Sequence, residues 1–242
     1  MAEISKTADQ ALSVLLAVSG SSPRTPAQLA RDLGMNRSVV HRLLSTLHQR
    51  GFVIRQADGY VPGTMLVRIA ERVQPELRAR GRAVMTRLSD EVRETVVMHI
   101  RDGYEAVVLE QVVSDSHLVR VQHKIGSRHP LVLGASGRAL LSYVDDSARN
   151  RVVQASGDPD AIIRQLESVR QLGYALSHDE LQEGVHGIAA PILDSTGQAL
   201  ASMAILMPSS RTAQLMQHVP ALLTASRELS DALRHDVVEI AP

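Results

Sequence analysis

The chain has 242 residues and no net charge, with 26 basic and 26 acidic side chains, so its length suits one large or two modest globular domains. It contains no cysteine, which excludes disulfides, thiolate metal sites and cysteine nucleophiles. Aromatic residues are only 2% of the chain, which argues against single-strand readers because those proteins stack bases on aromatic rings. With no secretion signal and no apolar run long enough to span a bilayer, we expect a soluble cytoplasmic protein with no membrane partner.

Residues 4–65 predict a winged helix-turn-helix domain. A first helix is expected over residues 6–18. A second helix, over residues 26–33, has Thr25 as N-cap, Pro26 at its first position and Gln28 completing a capping box. The side chains that we expect on the buried face of the first helix are Ala8, Ala11, Leu12, Leu15 and Leu16.

The third helix is the candidate recognition helix. Asn36 is placed to cap it and Gly51 to end it. A major groove about 12 Å wide admits one α-helix, whose N-terminal side chains reach the base edges. The buried stripe is predicted as Val40, Leu43, Leu44 and Leu47, and the opposite face carries Arg37, Ser38, His41, Arg42, Ser45 and His48.

A β-hairpin is predicted next, with strands over residues 52–55 and 60–62 around the turn Asp58-Gly59. Helix-turn-helix geometry also occurs in proteins that never touch DNA. Between Arg24 and Arg55, however, six arginines face a single acid, Asp32, and this local positive charge favours double-stranded DNA as the partner. The candidate DNA-binding residues are Arg24, Thr25, Gln28, Asn36, Arg37, Ser38, His41, Arg42, Ser45 and Arg55.

Residues 66–80 predict a linker helix. Helical periodicity begins at about residue 64 and is interrupted at Pro75. This helix would join two domains, and its apolar stripe could equally pair with a partner chain. The stripe consists of Met65, Leu66, Ile69 and Val73.

Residues 81–242 predict an α+β domain, a sheet with helices on its faces. The helices are expected over residues 81–94 and 134–143, after Asp145 or Asp146, between Asp158 and Gly173, and over residues 211–235 with a break or kink at Pro220. The strands are expected over residues 95–100, 105–113, 118–123, 187–193 and 198–207.

Nothing in this half predicts catalysis or a cofactor. Ser136 lies in Gly-Ala-Ser-Gly, which is not the Gly-x-Ser-x-Gly of a nucleophile elbow and is typical of a helix start. A metal would need three or four converging ligands, whereas scattered histidines usually lie at the surface or make one hydrogen bond. We predict no metal; His178 and His186 would be the best pair among His99, His117, His123, His129, His178 and His186.

Several segments resemble the isocitrate lyase regulator (IclR) family. Residues 27–53 (AQLA, LGMNRSVVHRLLSTL, RGFV) resemble its DNA-binding half. Residues 126–131 (GSRHPL), 137–141 (GRALL) and 183–192 (EGVHGIAAPI) resemble its effector-domain signatures. The match spans nearly the whole chain, in order and at the expected spacings.

The resemblance implies a bacterial transcriptional regulator, either a repressor or an activator. Its winged helix would bind an operator, and a C-terminal GAF-like α/β domain would bind a small-molecule effector. Family members assemble as homodimers or homotetramers, and two-fold symmetry then predicts inverted half-sites separated by about one helical turn or a multiple of it.

The resemblance also implies an effector pocket over the sheet. Members that sense small carboxylic acids carry polar groups at several pocket positions, but this chain is plainer there, so we expect an aromatic acid or an apolar, lipid-like metabolite. The amides of Ser136 and Gly137, opening a helix, could still hold a carboxylate. The implied effector-binding residues are Leu131, Gly134, Ala135, Ser136, Ser177, Gly187, Ala204 and Leu206.

Two other interpretations remain open. The second domain could turn over its ligand as an enzyme or carrier, although no paired carboxylates, nucleophile–base pair or cofactor fingerprint supports this. It could instead serve only for oligomerisation, in which case no small molecule would change the affinity for DNA.

Overall fold

The structure, a computed structural model, describes residues 4–20 and 22–235. Contacts divide the chain into two units, residues 1–75 and 76–242. The first unit contains α1 (Lys6–Val18), α2 (Pro26–Asp32), α3 (Arg37–Gln49), β1 (Val53–Gln56), β2 (Gly59–Pro62) and α4 (Met65–Ala70).

The helix-turn-helix pair forms for the local reasons that the sequence predicts, except at one cap. The Thr25 hydroxyl accepts from the Gln28 amide at 3.3 Å, and the Gln28 side chain accepts from the Thr25 amide at 2.8 Å, which confirms the capping box. The predicted cap at Asn36 is wrong in one respect. This residue is at the N-cap position, but its side chain makes no capping hydrogen bond among the described residues, so the first turn of α3 is held by backbone bonds alone.

The predicted buried face of α1 is partly wrong. Val14 and Val18 are fully buried, whereas Ala8 is exposed and Leu12 and Leu16 are 60% and 73% exposed. The pattern Ala8, Leu12, Leu16 has helical spacing and is apolar, so periodicity alone cannot tell which of two apolar stripes faces the core. α1 therefore presents an apolar surface that the first unit does not cover.

The wing is a two-stranded antiparallel ribbon extended by a bridge to Arg24, two residues before α2. β1 and β2 pair in register, and the backbones of Arg24 and Tyr60 exchange hydrogen bonds of 3.0 and 2.9 Å. Gly59 has a φ of +151°, and a Cβ there would lie 2.8 Å from the Arg24 backbone. Glycine is therefore required by close approach as well as by the turn.

The second unit begins inside the region predicted as a linker. Its elements are α5 (Pro75–Val92), β3 (Thr95–Asp102), β4 (Glu105–Val112), β5 (Arg128–Pro130), α6 (Gly134–Leu141), α7 (Asp146–Gln154), α8 (Pro159–Leu172), β6 (Ala175–His178), β7 (Val185–Leu193), β8 (Ala199–Pro208), a 3-10 helix (Ser209–His218) and α9 (Val219–His235).

The helical region predicted over residues 64–80, with an interruption at Pro75, forms two helices in the structure. α4 ends at Ala70, and α5 starts at Pro75 and runs without interruption past Gly81. Proline favours the first turn of a helix, where its missing N–H is not needed, so Pro75 marks a beginning and not a kink. Gly81 lies inside α5, and a Cβ there would lie 2.8 Å from the Met98 side chain, so close packing against β3 favours glycine at this position.

One antiparallel sheet organises the second unit, in the order β5-β4-β3-β8-β7-β6. α5 and α9 cover one side, through Leu88 and Leu229 among others, and α6 covers the other. The strand predicted over residues 118–123 is wrong, since these residues are irregular and β5 takes the place beside β4. β6 was not predicted. The overall fold class, a winged helix-turn-helix followed by a GAF-like α/β domain, is confirmed.

No helix within the described residues is long and apolar enough to cross a membrane.

Candidate DNA-binding surface and effector face

The exposed side of α3 carries the polar residues that the sequence assigns to DNA. Val40, Leu43, Leu44 and Leu47 are buried in the core of the first unit. The residues on the opposite side are exposed: Asn36, Arg37, Ser38, His41, Arg42 and Ser45. One helix thus separates a packing stripe from a hydrogen-bonding and cationic stripe, which is the arrangement that a major-groove helix needs.

The wing lies beside the N-terminal half of α3. A groove of about 400 Å³ is lined by residues of both, including Thr25, Arg37, His41, Arg55 and Gln56. Two predicted DNA-contact residues at its rim, Arg37 and Arg55, are exposed cations that come from different elements. The fold therefore brings together residues that are separated by 18 positions in the chain.

Other predicted contact residues already have partners within the protein. The Arg24 guanidinium pairs with Asp32, and its side chain is only partly exposed. Thr25 and Gln28 hold each other in the capping box. The Ser45 hydroxyl donates to the His41 carbonyl at 2.9 Å, which leaves its oxygen as an acceptor.

His48 has a structural role. Its Nδ1 lies 3.1 Å from the Val53 carbonyl oxygen, and because a carbonyl can only accept, the ring N–H donates and ties α3 to β1.

We call the side of the six-stranded sheet under α6 the effector face. On β8 it presents Leu206, Ala204 and Ser202, which pair across the strands with Thr95, Val97 and His99 on β3. On the other side of β8, Leu206 pairs with Gly187, and Gly187 pairs with Ser177 on β6. Four of the predicted effector residues are thus neighbours: Ser177, Gly187, Ala204 and Leu206.

Several of the predicted effector residues are closely packed in the structure. A Cβ at Gly187 would lie 3.1 Å from Leu206 Cδ2 and 3.3 Å from the Ser177 hydroxyl. Leu131, Ala135 and Ser136 are also buried. A nearby cavity of about 290 Å³ is lined by none of the eight predicted effector residues; its lining includes Arg138, Val169, Tyr174, His178 and Glu180.

The start of α6 holds a carboxylate that belongs to the chain itself. The Gly134 amide donates to Glu180 Oε2 at 2.9 Å, and the two terminal nitrogens of Arg138 donate to the same carboxylate at 2.6 Å each. Burial alone would raise the pKa of Glu180, but the hydrogen bonds from Arg138 and Gly134 outweigh it, and the pKa is lowered. We expected the amides of Ser136 and Gly137 to offer a site for a ligand carboxylate. In the structure, the Glu180 carboxylate is already bound to the amide of Gly134, the first residue of the same helix.

The two histidines proposed as the best metal pair contact each other directly. His178 Nδ1 lies 2.7 Å from His186 Nδ1, so the N–H of one ring donates a hydrogen bond to the other ring. His186 Nε2 lies 2.9 Å from the Ser209 hydroxyl. Within the parts of the chain that the structure describes, no three metal-ligating side chains converge. This pair is used as a hydrogen-bonded link between β6 and β7.

Three other histidines form a cluster that the sequence did not reveal. The ring of His99 lies 5.3 Å from that of His129 and 6.0 Å from that of His123, centre to centre. His99 is only 1% exposed, contrary to the expectation of surface histidines. One signal was present: in Thr95-Val96-Val97-Met98-His99 the histidine continues a buried strand, where a polar side chain is unusual.

Comparisons with known proteins agree with this architecture. Residues 7–57 match the model for the IclR helix-turn-helix domain, and residues 72–231 match the model for the C-terminal domain of bacterial transcriptional regulator IclR. The transcriptional regulator KipR of Bacillus subtilis is 31% identical over 75% of this chain and 77% of its own length. The regulator BhcR of Paracoccus denitrificans is 30% identical over 92% of this chain and 85% of its own.

Solved structures are similar over nearly the whole chain. A putative IclR regulator from Silicibacter is 28% identical with a TM-score of 0.74, covering 94% of this chain and 96% of that one. An IclR homologue from Microbacterium hydrocarbonoxydans, solved with 4-hydroxybenzoate, shares the fold, with a TM-score of 0.82 at 22% identity over 94% of this chain and 99% of that one. The two family models together cover most of the chain, and the relatives are regulators, not enzymes. The chain therefore belongs to the IclR family of DNA-binding bacterial transcriptional regulators.

Proposed function

We propose that the protein binds an inverted-repeat operator as a homodimer or homotetramer, in the cytoplasm, and that a small molecule in the C-terminal domain changes its affinity for that operator. The observation that carries the DNA-binding part is the exposed face of α3, where Arg37, His41 and Arg42 lie opposite a fully buried stripe. Family membership supports the coupling to a ligand.

We assign the DNA contacts by position. Arg37, Ser38 and His41 lie in the first half of α3, where side chains reach base edges, and Arg42 and Ser45 continue the same face. Arg55 on the wing contacts backbone phosphate or the minor groove. Asn36 contributes at the start of α3, where the uncapped helix end favours phosphate. The remaining DNA contacts come from the first turn of α2 and the two residues before it: Arg24, Thr25 and Gln28. Arg24 must break its ion pair with Asp32 to contact DNA.

Dimerisation is supported by the uncovered surface of α1. Leu12 and Leu16 are exposed one helical turn apart, next to the exposed Ile4. Burying two leucine side chains contributes about 3–6 kcal/mol, and a two-fold interface would bury them on both chains. Two-fold symmetry then places two copies of α3 in successive major grooves.

An effector is proposed to lie between α6 and the effector face. The relative solved with 4-hydroxybenzoate is consistent with an aromatic acid, and the apolar side chains of Ala204 and Leu206 are consistent with a ligand that has an apolar body. The other residues of the proposed lining are Leu131, Gly134, Ala135, Ser136, Ser177 and Gly187. A coupling of about 1–3 kcal/mol would change operator affinity about 5- to 150-fold.

The test of DNA recognition uses operator fragments selected by the protein from its own genomic DNA. We expect Arg37→Ala and His41→Ala to weaken binding about 5- to 100-fold, because a specific base contact contributes about 1–3 kcal/mol. Arg164→Ala is the matched control, since this arginine is exposed on α8 in the second unit. Wild-type affinity for both α3 variants would refute the assignment of the recognition helix.

A further inference from the structure

The effector face contains polar atoms that the protein itself leaves without partners. Both ring nitrogens of His99, Nε2 of His129 and the hydroxyl of Ser202 are buried and make no hydrogen bond to any residue that the structure describes. His99 and Ser202 are directly opposed on β3 and β8, and His129 reaches the same place from β5. A buried polar group without a partner costs about 1–3 kcal/mol, and three such side chains in one place are not expected by chance.

Of these three residues, His129 lies at the start of α6. A Cβ at Gly134 would be 3.6 Å from His129 Cε1 and 2.8 Å from Leu181 Cδ1. Along β8, Ser202 is followed on the same face by Ala204 and Leu206, two of the proposed effector residues. A ligand at this place would therefore have an apolar floor on one side and the unpartnered polar atoms at its end.

The protonation states of His99 and His129 determine which hydrogen bonds these side chains can make to a ligand. Burial lowers the pKa of His99 well below its ordinary value, and the neighbouring His129 and His123 lower it further. Burial also lowers the pKa of His129, against the opposing effect of the carbonyls of Pro130 and Leu133. Both rings are therefore neutral at pH 7, and each can donate one hydrogen bond and accept one.

The tautomer of His129 can be assigned from its contact with the backbone. Its Nδ1 lies 3.2 Å from the Pro130 carbonyl oxygen, which can only accept, so Nδ1 carries the proton and Nε2 presents a lone pair. A carboxylate cannot donate to that lone pair. A hydroxyl group can donate to His129 and accept from His99 or Ser202. The carboxylate position at the start of α6 is, in addition, occupied by Glu180.

We propose that His99, His129 and Ser202 form a subsite for the hydroxyl group of an otherwise apolar ligand, a phenol or an alcohol. This inference rests on the proposed function, because it names the ligand class of the effector site. It also revises the expectation of a plain pocket, since Ser202 precedes Ala204 by two residues on the same face of β8, and His99 and His129 lie on strands where the family resemblance implies no effector residue.

The test compares ligands that differ in one group. Full-length protein is titrated calorimetrically with p-cresol and p-xylene, and with cyclohexanol and methylcyclohexane; benzoate represents the carboxylate. We expect the hydroxyl member of at least one pair to bind about 5- to 10-fold more tightly than its methyl analogue, the gain from one net hydrogen bond in a buried place. A preference in the first pair identifies a phenol, and one in the second an alcohol.

Variants locate the preference. His99→Phe and Ser202→Ala should reduce it to within about 2-fold while binding of the methyl analogue persists, since each removes one buried hydrogen bond. His218→Phe makes the same change on the 3-10 helix and should retain the preference. Equal binding within both pairs, tighter binding of benzoate that is insensitive to these variants, or no binding of any probe would overturn the subsite.

Stability of the ligand-free protein gives an independent measurement. If the polar atoms await a ligand, Ser202→Ala and His99→Phe leave the melting temperature unchanged or raise it, because an unpaired polar group is removed. A clear decrease would mean that buried water or the protein satisfies them, and would count against the proposal. Operator affinity, measured with the same probes, separates the two hypotheses. If benzoate changes the operator affinity and neither pair of probes shows a hydroxyl preference, ligand control stands and the subsite is rejected. If a hydroxyl probe binds preferentially without changing the operator affinity, the subsite stands and ligand control is rejected.

Discussion

The surface of α3 and the effector face place their polar groups in opposite environments. Around α3, the candidate residues are exposed or partly exposed, lie within 31 positions of one another in the chain and have water as an alternative partner. On the effector face, the polar residues come from β3, β5 and β8 and are almost completely buried. Removing an exposed side chain should therefore change binding and little else, whereas removing a buried one should change stability, in a direction set by whether its neighbours keep a partner.

The largest expected effect comes from the ion pair between the buried Arg138 and the partly exposed side chain of Glu180 at the start of α6. Glu180→Gln removes the charge that faces Arg138, whose side chain is only 5% exposed. We expect the free energy of unfolding to fall by about 3 kcal/mol, because an uncompensated buried guanidinium is left behind. Chemical denaturation measures this, with Glu183→Gln, at an exposed neighbour, as control.

The same pair predicts a pH dependence of stability. The pKa of Glu180 is lower in the folded protein than its ordinary value, so its contribution to stability is fully present above that ordinary value and is lost as the pH falls through the folded one. Wild type should lose stability on acidification more steeply than Glu180→Gln does. Parallel curves for the two proteins would contradict the strong ion pair.

The next effect concerns self-association through the exposed apolar surface of α1. It would refine the comparison above, because here a surface change is expected to have a large effect. The double variant Leu12→Glu, Leu16→Glu should weaken self-association at least about 100-fold, because two exposed leucines on each chain would be lost from a proposed interface, at about 1.5 kcal/mol or more per leucine. Light scattering across a dilution series measures the mass, with Thr7→Glu, exposed near the start of α1, as control. An unchanged dimer would place the interface elsewhere.

Loss of a cap should have a smaller effect. Thr25→Ala removes the hydroxyl that accepts from the Gln28 amide, and we expect a destabilisation of about 1 kcal/mol. Asn36→Ala should cost much less, since Asn36 makes no side-chain capping bond in the described structure. Thermal unfolding of the two variants side by side checks this difference, and an equal loss would mean that Asn36 caps α3 in solution.

The smallest effect distinguishes two arginines that the sequence treats alike. Arg55→Ala should reduce the slope of log affinity against log salt by about one unit, because it removes one phosphate contact. Arg24→Ala should reduce it by less, since Arg24 is paired with Asp32 and must leave that carboxylate to reach phosphate. Equal changes in slope would show that the Asp32 pair does not persist when DNA binds.

The sequence predicts the α3 surface well because its causes are local. The Thr25 capping box, the stripe of Val40 and Leu44, and the Asp58-Gly59 turn act within a few residues. Prediction from the sequence fails where a structural feature depends on residues that are far away in the chain. Whether Leu12 faces the core depends on which side α3 packs against, and β6 is a strand only because β7 pairs with it.

The polar side of the effector face could not be predicted for the same reason. His99, His129 and Ser202 are separated by 30 or more positions, and although His99 is unusual within its apolar strand, nothing local links it to the other two. Only strand register places His99 opposite Ser202, and only the β4–β5 pairing brings His129 beside them. The Glu180–Arg138 pair likewise joins residues that are 42 positions apart. Such convergence is a property of topology and cannot be read from local periodicity.

The most direct test of ligand-controlled DNA binding is a titration of labelled operator with wild-type protein, followed by fluorescence anisotropy, with and without a compound that stabilises the C-terminal domain in a thermal-shift screen. We expect the ligand to change the operator dissociation constant about 5- to 150-fold. An unchanged dissociation constant at saturating ligand would contradict it and leave the second domain with a role in assembly alone.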